Sequence, residues 1–117
     1  MKRRLVIGDI HGGLRALLQV FDRAAVTTDD ILIFLGDYVD GWSESPQVID
    51  YLIELSARQQ CIILKGNHDE WCEVWLRTGD ADSSWLFHGG QSTVNGYSTV
   101  ASYLRRQHLH FFEQMQL

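Results

Sequence analysis

Three short polar clusters along the chain carry the residue types that bind metal ions or move protons. They read Gly8-Asp9-Ile10-His11-Gly12, Gly36-Asp37-Tyr38-Val39-Asp40-Gly41 and Gly66-Asn67-His68-Asp69. Carboxylate, imidazole and amide oxygen together suit borderline divalent ions such as Mn²⁺, Fe²⁺ or Zn²⁺, rather than the soft metals that thiolates bind. Two such ions can hold the oxygens of a phosphate ester and activate a water molecule. The chemistry that these residue types indicate is phosphoester hydrolysis.

Each cluster directly follows an apolar run typical of a short β-strand. These runs cover residues 4–7, 30–35 and 61–64. Between them, apolar residues recur at helical spacing, first at Leu14, Leu17, Leu18 and Phe21 and then at Val48, Ile49, Leu52 and Ile53. The order βαβαβ predicts parallel strands with right-handed crossovers and helices on the faces of the sheet. We therefore predict an α/β fold.

The position of the clusters favours one shared site. In open α/β sheets, ligands bind at the carboxyl ends of the strands, where the three loops would meet. A single Gly-Asp pair is more often a turn or a helix cap. Three polar clusters, each beginning with glycine after a strand, make that explanation inadequate.

The clusters resemble the first three motifs of the calcineurin-like metallophosphoesterases, GDxH, GDxxD and GNH[DE]. The sequences GDIHG and GDYVD are most similar to the phosphoprotein phosphatase branch, which includes Ser/Thr protein phosphatases and bacterial symmetrical bis(5'-nucleosyl)-tetraphosphatases. The stretch from Trp85 to Gly90 resembles the bacterial W-L-x-N-G-G, with His88 in place of asparagine. The resemblance implies that residues 1–117 form the N-terminal half of a metallophosphoesterase α/β sandwich.

The resemblance also implies roles for the metal-binding residues. Asp9 and His11 would bind a first ion, Asp37 would bridge two ions, and Asn67 would bind the second. The expected cofactors are two divalent metal ions, with Mn²⁺ favoured and Fe or Zn²⁺ as alternatives. The expected substrate is a phosphorylated compound, either a phosphoprotein or a dinucleoside polyphosphate.

His68 and Asp40 correspond to the catalytic residues of the family. By resemblance, His68 protonates the leaving-group oxygen and Asp40 hydrogen-bonds that histidine and orients it. The assignment agrees with the chemistry, because an imidazole held by a carboxylate keeps one tautomer and can be cationic near neutral pH.

Two departures from the family pattern bear on activity. Asp40 is followed by Gly41 and Trp42 where the pattern has a phosphate-binding arginine, and the open substitutes are Arg15, Arg77, Arg105 and Arg106. The family's later V-H-A-G and G-H motifs, which supply further metal ligands, do not occur. His108 and His110 are two residues apart on a predicted helix, so we do not expect them to bind one ion together. His88 is expected beside the site without ligating metal.

Two functions therefore stay open from the sequence. One is a metal-dependent phosphoester hydrolase; the other is a truncated, catalytically weak module that binds metal, phosphate or a partner. With three ligands for the first ion and two for the second, we expect the chain alone to bind at most one ion tightly. A missing second half would leave one sheet edge uncovered, with self-association as a possible result. The aromatic residues Trp71, Trp75, Trp85, Phe111 and Phe112 would then either be partly exposed or close a small core.

Composition excludes several other classes of protein. The chain has 117 residues, which is the size of one domain, and a net charge of −5, which argues against a nucleic-acid coat protein. Its apolar runs of about five residues are far short of the roughly 20 that a membrane span needs. The two cysteines form no CxxC pair, so we expect reduced thiols and a cytoplasmic protein.

Overall fold

The computed structural model describes residues 2–117 and contains a parallel sheet of three strands. The strands are β1 (Arg4–Ile7), β2 (Ile31–Phe34) and β3 (Cys61–Ile63), with β2 in the middle. Leu32 of β2 lies opposite Leu5 on one side and Cys61 on the other. The α/β class and the parallel βαβαβ arrangement predicted from the sequence are confirmed.

Helices connect the strands and continue to the end of the chain. They are α1 (Leu14–Arg23), α2 (Ser45–Arg58), α3 (Asn67–Thr78), the short α4 (Ser83–Trp85), α5 (Gln91–Tyr97) and α6 (Ser102–Glu113). An irregular helical turn, Leu86–Gly90, joins α4 to α5. Over residues 2–117, none of these helices combines the length and apolar character that crossing a bilayer requires.

The start of α2 differs from the sequence-based expectation. A serine directly before a proline at the start of a helical stretch predicts that Ser45 caps the helix and that Pro46 is its first residue. Ser45 is instead the first residue of the helix, and its hydroxyl accepts a hydrogen bond from the backbone N–H of Asp40, at 3.1 Å. The hydroxyl thus stabilises the preceding loop rather than the helix end.

The core is formed by the central strand and the helices on the faces of the sheet. Leu32 and Phe34 of β2 are completely buried. The five aromatic residues of the later helices mostly close this core: Trp85 and Phe112 are fully buried, and Trp71, Trp75 and Phe111 are partly exposed and pack against the core. They do so because α6 packs on α3 and α5 packs on α2.

The two edges of the sheet differ in how they are covered. Beyond β3, the backbone of Gln116 pairs with Leu64, accepts from Lys65 at 2.7 Å and donates to Ile63 at 2.9 Å. Within residues 2–117, no strand pairs with the outer side of β1. Val6 of β1 and Val20 of α1 are more than half exposed and line an apolar cavity of 240 Å³.

Candidate metal centre

The loops after β1 and β2 are joined by backbone hydrogen bonds. The N–H groups of Ile10 and His11 both donate to the carbonyl of Asp37, at 3.1 and 3.0 Å, and Gly12 donates to Tyr38 at 2.7 Å. The N–H of Trp42 donates to the carbonyl of His11, at 2.9 Å. The first two polar clusters are therefore one rigid unit.

Asp69 attaches the third loop to the second. Its carboxylate accepts from the backbone N–H groups of Asp37 at 2.6 Å, Tyr38 at 2.9 Å and Gly66 at 2.9 Å. Burial raises the pKa of the Asp69 carboxyl to about 6, although these three donors act to lower it. The last residue of the GNHD motif thus positions the loops instead of facing the site.

Asp9, His11 and Asp37 bring their ligand atoms together. One ligand atom from each residue lies within 4.8 Å of those of the other two. His11 Nδ1 is 2.9 Å from the carbonyl of Val39, a contact in which Nδ1–H is the donor and Nε2 keeps its lone pair. That Nε2 is 3.5 Å from Asp9 Oδ2. Two carboxylates and an imidazole with a fixed tautomer fit a divalent cation, so this cluster can hold the metal that the sequence predicts.

Asn67 is the first residue of α3, between two residues that contact Asp37, and it is exposed. Its neighbour His68 donates a backbone N–H to Asp37 Oδ1, at 3.2 Å. Its other neighbour, Gly66, packs so closely that a Cβ there would lie 2.2 Å from Asp37 Oδ1. Glycine is therefore required for the Asp37 carboxylate to lie against the third loop.

Backbone strain is concentrated at the candidate site residues. His11, Asp37 and Asp40 have φ angles of 49°, 58° and 76°, and Ala25 is the one other non-glycine residue between 2 and 117 with a positive φ. Each such residue costs on the order of 1–2 kcal/mol. Strain of this kind persists where the surrounding structure enforces it and is frequent at functional sites.

Asp40 and His68 form a hydrogen-bonded pair next to the cluster. His68 Nδ1 is 2.7 Å from Asp40 Oδ2, and Asp40 is only 1% exposed. The same carboxylate accepts from the indole N–H of Trp85 at 2.6 Å and from the hydroxyl of Thr93 at 2.5 Å. With Nδ1–H given to Asp40, His68 Nε2 is left for another partner.

A cavity of 360 Å³ gives access to this pair. It is lined by His11, Asp40, Gly41, Trp42, His68 and His88. His88 is exposed; its Nδ1–H donates to the carbonyl of Ser84 at 2.7 Å, and its ring stacks on that of Trp71. His88 lies beside the site, as the sequence reasoning expected of it.

Trp85 and Thr93 are site residues that sequence reasoning did not identify as partners of Asp40. They lie 45 and 53 positions further along the chain. Trp85 had a signal, because it begins the stretch that resembles W-L-x-N-G-G. No sequence pattern indicates Thr93, because threonine is common in helices. Only the packing of α5 brings its hydroxyl to the loop that carries Asp40.

Two other candidates have structural contacts of their own. His108 is buried, its Nδ1 2.7 Å from the hydroxyl of Tyr97 and its Nε2 2.6 Å from Asp50. Both of its ring nitrogens are thus engaged, and His110 is exposed on another side of α6, as the helical spacing predicts.

The arginines that were open as substitutes for the missing phosphate-binding residue also differ in position. Arg77 pairs with Glu73 and Glu113, and Arg105 donates to backbone carbonyls at the end of α5. Arg15 lines a cavity with Asp9 and Trp42. Of these three arginines, Arg15 is the one beside the metal cluster.

Comparison with known proteins places the chain among phosphoesterases. The sequence model of the family described as calcineurin-like phosphoesterase matches residues 2–115. The serine/threonine-protein phosphatase PP2A-like PPG1 of Saccharomyces cerevisiae is 38% identical over 96 residues, which are 80% of this chain and 26% of the yeast protein. The solved structures of a candidate diadenosine tetraphosphatase and of a metallophosphoesterase from Sphaerobacter thermophilus share the fold, with TM-scores of 0.65 and 0.64 at 18% and 23% identity. Both alignments cover 97% of this chain, which spans 46% and 40% of those two proteins.

Proposed function

This chain belongs to the calcineurin-like phosphoesterase family, and from that premise we propose that residues 1–117 form the metal-binding and proton-donating part of a phosphoester hydrolase domain. The observation that carries the proposal is the placement of three metal-ligand atoms within 4.8 Å of one another, beside a hydrogen-bonded histidine and carboxylate. The relatives are about two to three times as long as this chain, so their substrates and activity are only proposals for it.

The proposed metal ligands are Asp9, His11, Asp37 and Asn67. Asp9, His11 and Asp37 hold one divalent ion, and Asp37 and Asn67 contribute to a second, with Mn²⁺ as the favoured metal. When bound, such ions neutralise the charge of a phosphate and lower the pKa of water. The chain's own part is to fix these ligands: Val39 sets the tautomer of His11, and Gly66 and His68 fix the Asp37 carboxylate.

His68 is the proposed general acid. Its Nδ1–H is given to the buried Asp40 carboxylate, so the proton for the leaving group is on Nε2. Trp85 and Thr93 hold Asp40 in place, and therefore orient His68 through it. General acid catalysis of this type contributes about 10²–10⁴-fold to the rate.

The test compares metal content with turnover. His68→Asn is expected to lower p-nitrophenyl phosphate hydrolysis, measured with added Mn²⁺, about 10²-fold or more while leaving the bound metal unchanged. Asp9→Asn and His11→Ala are expected to lose metal and turnover together. His110→Asn, which changes an exposed histidine on α6, serves as the control. Equal loss of metal and turnover in His68→Asn would make His68 a ligand and contradict its role as an acid.

A second candidate function is a metal- or phosphate-binding module with little activity of its own. It is favoured by the ligand count among the described residues, where the second ion would have only Asp37 and Asn67. Calorimetric titration with Mn²⁺ separates the two functions. One tight site per chain with little turnover supports the module, and two tight sites with full turnover support the enzyme. A panel of a phosphopeptide and a dinucleoside tetraphosphate would distinguish the two proposed substrate classes.

A further inference from the structure

Trp42 is exposed although it lies beside the candidate metal centre. It exposes 70% of its surface, whereas Trp85 is fully buried and Trp71 and Trp75 are partly buried in the same molecule. Single exposed apolar residues are common on proteins, so exposure alone carries no conclusion. Two further observations distinguish Trp42. Its backbone is hydrogen-bonded to the loop that carries His11, and it lines two cavities.

The Trp42 loop is fixed to the loop that carries His11. Trp42 donates its backbone N–H to the carbonyl of His11 at 2.9 Å, and Glu44 donates to Gly12 at 3.1 Å. The indole lies over Gly13, where a Cβ would be 3.7 Å from its Cδ1 atom. The indole is therefore presented from a backbone tied to the metal cluster, so little conformational freedom is lost when a ligand binds it.

Trp42 lines two cavities at once. One is the 360 Å³ cavity that reaches His68 and His88. The other is a 660 Å³ groove lined by Asp9, Arg15, Gln19, Trp42 and Glu44, among others. Trp42 therefore lies between the cavity that reaches His68 and the open groove. A group attached to a phosphate at the metal cluster could extend along the indole into the groove.

We propose that Trp42 is a specificity-determining residue that stacks on a planar aromatic group attached to the phosphate, so that aromatic phosphates bind in preference to aliphatic ones. The inference rests on the proposed function, because it requires the phosphate to lie at the Asp9, His11 and Asp37 cluster. The groove has room for a nucleoside, and its lining carries one positive charge, on Arg15, beside the carboxylates of Asp9 and Glu44. Stacking of a base on an aromatic side chain is worth about 5- to 100-fold in affinity.

The test measures binding of matched pairs of ligands that differ by the aromatic group. Calorimetry with added Mn²⁺ compares phenylphosphonate with methylphosphonate, whose C–P bonds resist hydrolysis, and AMP with ribose 5-phosphate. We expect the aromatic member of at least one pair to bind at least 5-fold more tightly to the unchanged chain. Trp42→Ala should remove that preference and leave the aliphatic ligands unaffected, while Trp42→Phe should keep most of it. Tyr103→Ala, which removes another exposed aromatic residue on α6, is the matched control.

The possible outcomes separate this inference from the proposed function. A preference for AMP alone identifies the aromatic group as a nucleobase, and a preference in both pairs identifies any planar ring; either result supports the proposal. Aromatic ligands that bind no more tightly than aliphatic ones, or a preference that survives in Trp42→Ala, would overturn it. The proposed phosphate site is judged separately, by whether binding of ribose 5-phosphate and methylphosphonate needs Mn²⁺ and is lost in His11→Ala.

Discussion

At the scale of single residues, the site depends on a few groups that have no freedom to move. Asp40 has a positive φ and a buried carboxylate with three hydrogen-bond donors, so its position is over-determined. Asp37 likewise has a positive φ and lies against Gly66. Metal ligands and proton donors act only within narrow ranges of distance and angle. These contacts hold the two carboxylates in place before any substrate binds.

Gly66→Ala should therefore weaken metal binding. The new Cβ would meet the Asp37 carboxylate and the Asp37 backbone nitrogen, at 2.2 and 2.6 Å, so the carboxylate or the loop must shift. We expect the affinity for Mn²⁺, measured by calorimetry, to fall about 10-fold or more, in line with disturbed support of a metal ligand. Gly8→Ala is the control, because no atom lies within 4 Å of a Cβ at that position. Equal affinities in both variants would show that Asp37 is not a ligand held by this contact.

At the scale of secondary structure elements, polar contacts join the helices to one another. Tyr97 of α5 and Asp50 of α2 both hydrogen-bond to His108 of α6, which is fully buried. At the surface, Arg77 of α3 also reaches Glu113 of α6, at 3.3 Å. These contacts keep the later helices over the core, where they bury Trp85 and so support Asp40.

His108→Ala should destabilise the fold without acting on metal directly. It leaves a cavity and two polar groups without their partner, of which the Tyr97 hydroxyl is buried, so we expect the free energy of unfolding to fall by about 2–4 kcal/mol. Urea denaturation followed by circular dichroism measures this loss. His110→Ala, on the exposed side of the same helix, should change stability by about 0.5 kcal/mol or less. A stable His108→Ala chain that had lost metal would instead reassign His108 as a ligand.

Glu73 of α3 should make stability depend on acid pH. Burial raises the pKa of its carboxyl, but hydrogen bonds from Lys65 and Arg77 outweigh burial and hold the pKa below its ordinary value of 4.5. The unfolded chain therefore binds the proton more readily, so the stabilisation is present above pH 4.5 and is lost as the pH falls through the lower, folded pKa. We expect unfolding free energies measured from pH 7 to pH 3 to fall less steeply in Glu73→Gln than in the unchanged chain. Glu54→Gln, at an exposed pair with Arg58, should leave the slope unchanged.

At the scale of the whole molecule, the chain has one covered and one open sheet edge. The last residues pair with the end of β3, but the outer side of β1 has no paired strand in residues 2–117. Val6 of β1 is exposed, and an exposed apolar side chain on an unpaired edge strand favours pairing with another chain or segment. Self-association through this edge therefore stays a prediction from the sequence, and the structure identifies Val6 as a residue at which to test it.

Val6→Lys should reduce any such association. A lysine on an edge strand disfavours pairing because its charge must stay in water. We expect light scattering across a concentration series to show a larger apparent mass for the unchanged chain than for Val6→Lys. Tyr103→Lys places the same charge on α6, away from the edge, and should behave like the unchanged chain. A monomeric unchanged chain at all concentrations would contradict the prediction.

The sequence by itself determined the βαβαβ order of the elements and their parallel connections, and it predicted the residue types of a metal site. Those features depend on local sequence, because an apolar run followed by Gly-Asp indicates the end of a strand regardless of the rest of the chain. The tertiary structure decided the contacts between distant positions: Trp85 and Thr93 on Asp40, Asp69 across two loops, and His108 between two helices. Such contacts depend on how helices pack, and a histidine or threonine in a helix has the same local pattern whether it is buried or exposed. The same reason explains why Ser45 was expected to cap its helix, whereas packing turns its hydroxyl toward the site.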